Sequence, residues 1–125
     1  MYFSSKAIIR DDNKYLLQLR DNKKSIVYPN RWAFFGGRFK KNETAEKCLI
    51  RELKEELSLK IKITMKLYEQ FNFKKEGRIN YFYVEHLNKV RKLNLKEGQD
   101  LGWFRKSEIK KLNLADDVKI IIDYI

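Results

Sequence analysis

Apolar and polar positions alternate with a period of two in several stretches and with a helical period in one. Residues 2–9 read as a first strand, and Asp11-Asp12-Asn13 is a turn signal. Residues 14–20 read as a second strand folded back on the first. A polar, irregular loop over 21–30 precedes the short apolar run Trp32-Ala33-Phe34-Phe35. That run ends at Gly36-Gly37, the pattern of a buried strand entering a glycine turn. The period then changes. Ala45, Leu49, Leu53 and Leu57 recur every four residues and predict a helix whose apolar stripe packs on a sheet, capped near Asn42 or Thr44. Residues 61–73 and 78–87 read as two strands joined through Lys74-Lys75-Glu76-Gly77, and 102–104 as a short strand. Residues 107–112 read as a capped helical turn and 118–125 as a terminal helix on the other face. Together these elements predict an α/β sandwich: a mixed sheet with a central helix and a C-terminal helix.

Composition changes this picture little. The 125 residues suffice for one domain with a real core, and 43% apolar with 14% aromatic content argues against disorder. No apolar run approaches the roughly 20 residues of a bilayer span, and the first residues lack a signal pattern, so a cytoplasmic protein with no membrane partner is expected. Charge adds more. A net charge of +11 points to an anionic partner, either a small phosphate compound or nucleic acid, although lysines scattered along the whole chain also fit compositional bias.

The helix carries the candidate chemistry. Glu52, Glu55 and Glu56 stand at i, i+3 and i+4 and therefore share one side, where like charges repel by a few tenths of a kcal/mol per pair, roughly. Spacing alone leaves open a divalent-cation site and a solvated Glu/Lys face. Glu52 and Glu56 project to one flank of the leucine stripe, at the rim of the core beside the sheet, which favours the former. With Cys48 the only cysteine and His86 the only histidine, an internal disulfide is excluded and a Cys/His zinc site is not expected. Cys48 is expected as a small buried thiol. Any metal is then oxygen-ligated, as magnesium or manganese would be.

The run from Gly37 resembles the Nudix box, G-x5-E-x7-R-E-U-x-E-E-x-G-U with U aliphatic. Gly37, Glu43, Arg51-Glu52-Leu53, Glu55-Glu56-Leu57 and Leu59 fill its fixed positions, and Ser58 stands where the last glycine is expected. The resemblance implies a magnesium-dependent pyrophosphohydrolase, with manganese as substitute. Its substrate would be a nucleoside triphosphate or a nucleoside diphosphate linked to another moiety, as in MutT-like clean-up of damaged nucleotides. It implies metal ligation by Glu52, Glu55, Glu56 and the Gly36 carbonyl, with Arg51 orienting the glutamates and Glu43 bracing the loop beside Gly37. Glu52 would be the general base with Glu97 in reserve, and Glu97 would also be a further metal ligand from the Glu97-Gly98-Gln99 segment.

Arg20 and Arg38 look like phosphate-binding positions, Arg31 less specifically so, and Asp116 falls near the base-reading position, where it or Asp117 could equally cap the last helix. Phe35, where many MutT-like members carry proline, leaves the substrate open. Two alternatives stand beside this reading: an RNA 5′-end pyrophosphohydrolase, and a non-catalytic nucleotide-binding protein on the same scaffold. The oligomeric expectation is a monomer or homodimer.

Overall fold

A computed structural model describes residues 3–26, 28–73, 77–88 and 100–125, and for 68–73 the backbone alone. Strand β1 (Phe3–Asp11) is central. Its far end pairs antiparallel with β2 (Lys14–Leu19), through a turn at Asp12 and Asn13, both at left-handed φ (48° and 65°). Nearer its start, β1 pairs antiparallel with β4 (Phe35–Arg38) over Ser4 to Ala7 on one side and parallel with β6 (Gly77–His86) over Phe3 to Ile9 on the other. The two-residue β3 (Trp32–Ala33) and β7 (Asp100–Arg105) flank β2, and β5 (Ile61–Phe73) closes the far edge antiparallel to β6. The hairpin read at Lys74-Lys75-Glu76 lies outside the described residues, while the antiparallel β5–β6 pair that it was expected to join is present.

Alternation along β1 creates two cores. Ala7 and Ile9 face α1 (Ala45–Leu57) and pack with Leu49, Leu53, Leu57 and Phe35. Ile8 faces the opposite side, with Leu17, Tyr81 and the α3 residues Val118 and Ile121. The sandwich read from the sequence is therefore present, with the leucine stripe on one face. The terminal helix covers the other, and α3 runs Asp116–Ile121, shorter than 118–125 implied at its end. The turn read at 107–112 overlaps α2 (Lys106–Ile109), which begins one residue earlier.

Several local expectations change. Gly36-Gly37 is not a turn but the middle of β4, opposite Lys6 and Ser5 of β1. Thr44, not Asn42, caps α1: its side chain accepts the Lys47 N–H at 3.2 Å, while Asn42 occupies a left-handed turn with φ 63°. Ala115 rather than an aspartate precedes α3, so neither Asp116 nor Asp117 is its cap.

Ser58 ends α1 in the left-handed conformation (φ 51°, ψ 32°), its N–H donating to the Lys54 carbonyl at 3.0 Å. Only glycine takes that conformation without strain. Ser58→Gly is therefore expected to stabilise the fold by about 0.5–1 kcal/mol, read as a higher urea midpoint at unchanged slope.

Candidate active site

The part that the glycine pair of β4 plays is steric. Gly36 has φ +152°, and a Cβ there would run into the Ser5 carbonyl oxygen and the Lys6 Cα. A Cβ on Gly37 would occupy the space of the Glu52 carboxylate. The glycine pair thus lets β1 and α1 close onto β4 from two sides, and it places Glu52 directly against the strand.

On α1, one guanidinium gathers the charges. Arg51 Nε and Nη2 donate to the two Glu43 carboxylate oxygens at 2.7 and 2.9 Å, a bidentate fork. Its Nη1 donates to Glu52 Oε1 at 2.9 Å and to Glu55 Oε2 at 3.2 Å, and Nη2 reaches the Arg38 carbonyl at 3.1 Å. The Arg51 side chain is only 19% exposed and that of Glu43 12%. The hydrogen bonds it donates, to Glu43 first and to Glu52 next, raise the arginine's proton affinity further. In return, the Arg51 hydrogen bonds, joined by the Lys40 N–H at 2.8 Å, hold the Glu43 carboxyl down to about 2 from its ordinary 4.5.

A depressed carboxylate pKa stabilises the fold above the unfolded value, and that contribution is lost as pH falls toward the folded one. The gap in urea midpoint between wild type and Glu43→Gln is therefore expected to be constant above about pH 5. It should shrink as the pH drops from 4.5 toward 2. A gap that does not change over that range would remove the Glu43–Arg51 pair as its source.

Glu56 lies apart from this clamp. It is 7% exposed and lines a cleft of about 240 Å³ with Gly36, Gln18, Arg20, Asp21 and Lys23. The structure therefore brings the sequence candidates together in two adjoining groups. Arg51, Glu43, Glu52, Glu55 and Gly37 form one, and Glu56, Gly36 and Arg20 form the other. Arg38 is exposed at the end of β4 and joins the first group through its carbonyl.

Asp116 sits elsewhere, at the start of α3, where it accepts from Arg31 Nη1 at 3.0 Å and lies 3.8 Å from Lys119. Its neighbour Asp117 is 1% exposed and accepts the Tyr81 hydroxyl at 2.7 Å. Glu97 lies outside the described residues. Gln18 and Lys23 of the cleft escaped the sequence reading. For Gln18 a signal existed, because strand alternation puts it on the same side as Leu16, under α1.

Cys48 is fully buried and its Sγ–H donates to the Gly37 carbonyl at 3.4 Å. Burial pushes the thiol up to about 11, which leaves it an inert structural group as expected. His86 is no part of the site: its ring lies 3.7 Å from Asp11, near the Asn88 carbonyl.

The donor set is oxygen only, carboxylates and a strand carbonyl, which suits a hard divalent cation. Among the described residues no three of these side chains converge on one point in this arrangement, since Arg51 occupies the space between Glu52 and Glu55. Placement nonetheless fits: Glu52 lies in the space that a Gly37 side chain would fill, and Glu56 shares a cleft with Gly36.

The NUDIX domain family model matches residues 4–124. This chain is a Nudix hydrolase. Among curated proteins it is similar to the nucleoside triphosphatase NudI of Escherichia fergusonii, 30% identical over 121 residues that cover 86% of this chain and 84% of that one. NudI of Enterobacter sp. (strain 638) is 26% identical over 127 residues, covering 90% and 88%. Among solved structures, the E. coli ORF135 protein superposes with a TM-score of 0.76 at 25% identity, covering 99% of this chain and 87% of that one. Nudix hydrolases generally use divalent metals. Among the described residues no helix is long and apolar enough to cross a membrane.

Proposed function

We propose that this Nudix hydrolase cleaves nucleoside triphosphates, or nucleoside diphosphates linked to another moiety, with magnesium as its metal and manganese as a substitute. One observation carries the reading. The cleft that holds Glu56 and Gly36 is lined also by Arg20 and Lys23, with Asp21 among them, so cations suited to phosphate share one small, open hollow with a carboxylate of the helix. The similarity to proteins named as nucleoside triphosphatases supports the same substrate class.

In this reading Glu52, Glu55, Glu56 and the Gly36 carbonyl would hold the magnesium, and Glu97 would add a ligand. An ion held there would supply Lewis-acid activation of water and would offset the charge of the diphosphate. The remaining work belongs to the chain. Arg20, with Lys23 beside it and Arg38 at the end of β4, draws the phosphates in and fixes their orientation. Glu43 holds the Arg51 guanidinium in plane, and Arg51 in turn holds Glu52 and Glu55 on the helix face. Glu52, seated against Gly37, accepts the proton of the attacking water as its oxygen bonds to a phosphorus of the diphosphate and the bridging P–O bond breaks, releasing the other phosphate group; Glu97 is the reserve base.

The test is a panel of nucleoside triphosphates, nucleotide sugars and dinucleoside polyphosphates, assayed with magnesium, with manganese and after chelation. Phosphate or pyrophosphate release from a member of the panel is expected with either metal, and none after chelation. Release that survives chelation, or no release from any member, overturns the proposal.

A further inference from the structure

On the sheet face that packs against α3, Tyr81 is buried and its hydroxyl is bonded to Asp117 of that helix. Tyr83, two positions further along β6 and so on the same face, is only half-buried. A hollow of about 490 Å³ opens there, lined among others by Ile8, Arg10, Met65, Tyr83 and Glu85. An irregularity in β5 shapes it. Ile63 pairs with Val84 and Met65 with Tyr83, so two steps along β5 answer one along β6, and Thr64 is left out of the ladder as a bulge. The Thr64 hydroxyl donates to the Tyr83 carbonyl at 3.1 Å. In unbroken register Met65 would stand opposite Phe82 and face α1. The extra residue turns it instead onto the face of Tyr83, where it is 56% exposed.

Two opposite charges stand at this hollow. Ile9 pairs with Val84, so Arg10 and Glu85 follow at the next step of two parallel strands, on the face of Tyr83. Neighbouring strands lie about 5 Å apart, close enough for an ion pair. Among the described residues neither side chain forms one, although Glu85 also has Lys62 opposite it on β5. Arg10 is within electrostatic reach of the Tyr83 phenol. Burial first, and the Tyr15 phenol next, push that phenol up, while Arg10 pulls it back. The net shift is upward, so Tyr83 stays a protonated donor at neutral pH. A cation and an anion side by side, unpaired with each other beside an aromatic ring and a thioether, match a molecule that carries both charges on one carbon.

The geometry points to a binding site for a free α-amino acid with an apolar side chain. Arg10 takes the carboxylate in its planar fork, Glu85 takes the ammonium, and the ligand's side chain lies on the Tyr83 ring beside Met65. A ligand with one charge leaves either Arg10 or Glu85 without a partner. The site shares no lining residue with the Glu56 cleft, and the inference stands apart from the hydrolase reading.

Titration of the isotope-labelled full chain with L-leucine, followed by backbone amide shifts at neutral pH and low salt, tests it. Saturable shifts are expected at Arg10, Met65, Tyr83 and Glu85, and none at Gly36 or Glu56. N-acetyl-L-leucine lacks the ammonium and L-leucinamide lacks the carboxylate. Each should bind about fivefold more weakly, the scale of one exposed ion pair. Glycine, without an apolar side chain, should also bind more weakly than leucine. Arg10→Gln should bind leucine and leucinamide alike, and Glu85→Gln should bind leucine and N-acetyl-leucine alike. Both positions are exposed, so the amide shifts of the rest of the chain should match wild type in each variant. Shifts that do not saturate, or that centre on the Glu56 cleft, overturn the inference. Equal affinities for all the ligands overturn it as well, as do variants that keep the wild-type discrimination.

Discussion

Glu56→Gln is expected to lower kcat by about a thousandfold while the melting temperature stays at or above the wild-type value. The rate loss follows from the proposed ligand set. A metal contributes several kcal/mol to stabilising charge in a phosphoryl transition state, and about 1.4 kcal/mol is a factor of ten. Glutamine keeps the volume and one carbonyl oxygen of Glu56 but removes its charge. The stability expectation has a separate origin. Glu56 is 7% exposed and stands one helical turn after Glu52, so neutralising it relieves both a desolvation cost and an i,i+4 repulsion. Steady-state rates at saturating magnesium, measured beside a thermal melt, separate the two. A rate within threefold of wild type would take Glu56 out of the chemistry, and a collapsed melt would make its role structural.

Gly36→Ala is expected to be the most damaging single methyl group in the chain. At φ +152° the added Cβ meets the Ser5 carbonyl oxygen and Lys6 Cα, which are backbone atoms of the central strand and cannot rotate away. Backbone strain of about 1–3 kcal/mol adds to an overpacking cost of similar size, a large share of the ~5–15 kcal/mol that holds a typical domain together. The variant should lose most of its urea resistance or fail to accumulate as folded protein. Gly37→Ala provides the contrast, because its Cβ meets the Glu52 carboxylate, the end of a movable side chain. That variant should fold and lose activity. Equal loss of stability in the two would contradict this division between strand and site.

Much of this could be read before any coordinates. The leucine stripe at four-residue spacing fixed which face of α1 is buried, and the alternation of Ala7, Ile8 and Ile9 implied a sheet covered on both sides. The box residues Glu43, Arg51, Glu52 and Glu55 meet in space because one helix turn and one short loop carry them all, so local spacing was sufficient.

Where partners are distant, the reading failed. Gly36-Gly37 looked like a turn because glycine commonly supplies one. Here its missing side chain admits Ser5 from one side and Glu52 from the other, and neither neighbour is local. Asp117 looked like a helix cap, whereas its buried carboxylate accepts from Tyr81, 36 residues away. The ion pair of Asp116 with Arg31, 85 residues away, was equally hidden from local spacing. The Glu56 cleft was half legible, since the carboxylate lies in the box while Gln18 and Lys23 come from a strand and a loop with no motif.

The parallel pairing of β1 with β6 has a consequence for how the molecule assembles. The Asn80 side chain reaches the Ser4 carbonyl across 76 residues of sequence, and β1, the strand that pairs with β2, β4 and β6, is the earliest along the chain. A growing polypeptide therefore exposes its central strand, one edge unsatisfied, until β6 has been made. The β1–β2 hairpin can form early and locally, but the sheet cannot close until the chain has looped back. Topology of this kind slows folding relative to a helical bundle of equal length. It also makes the interval before β6 arrives the period in which a bare, apolar strand edge is open to pairing with another chain.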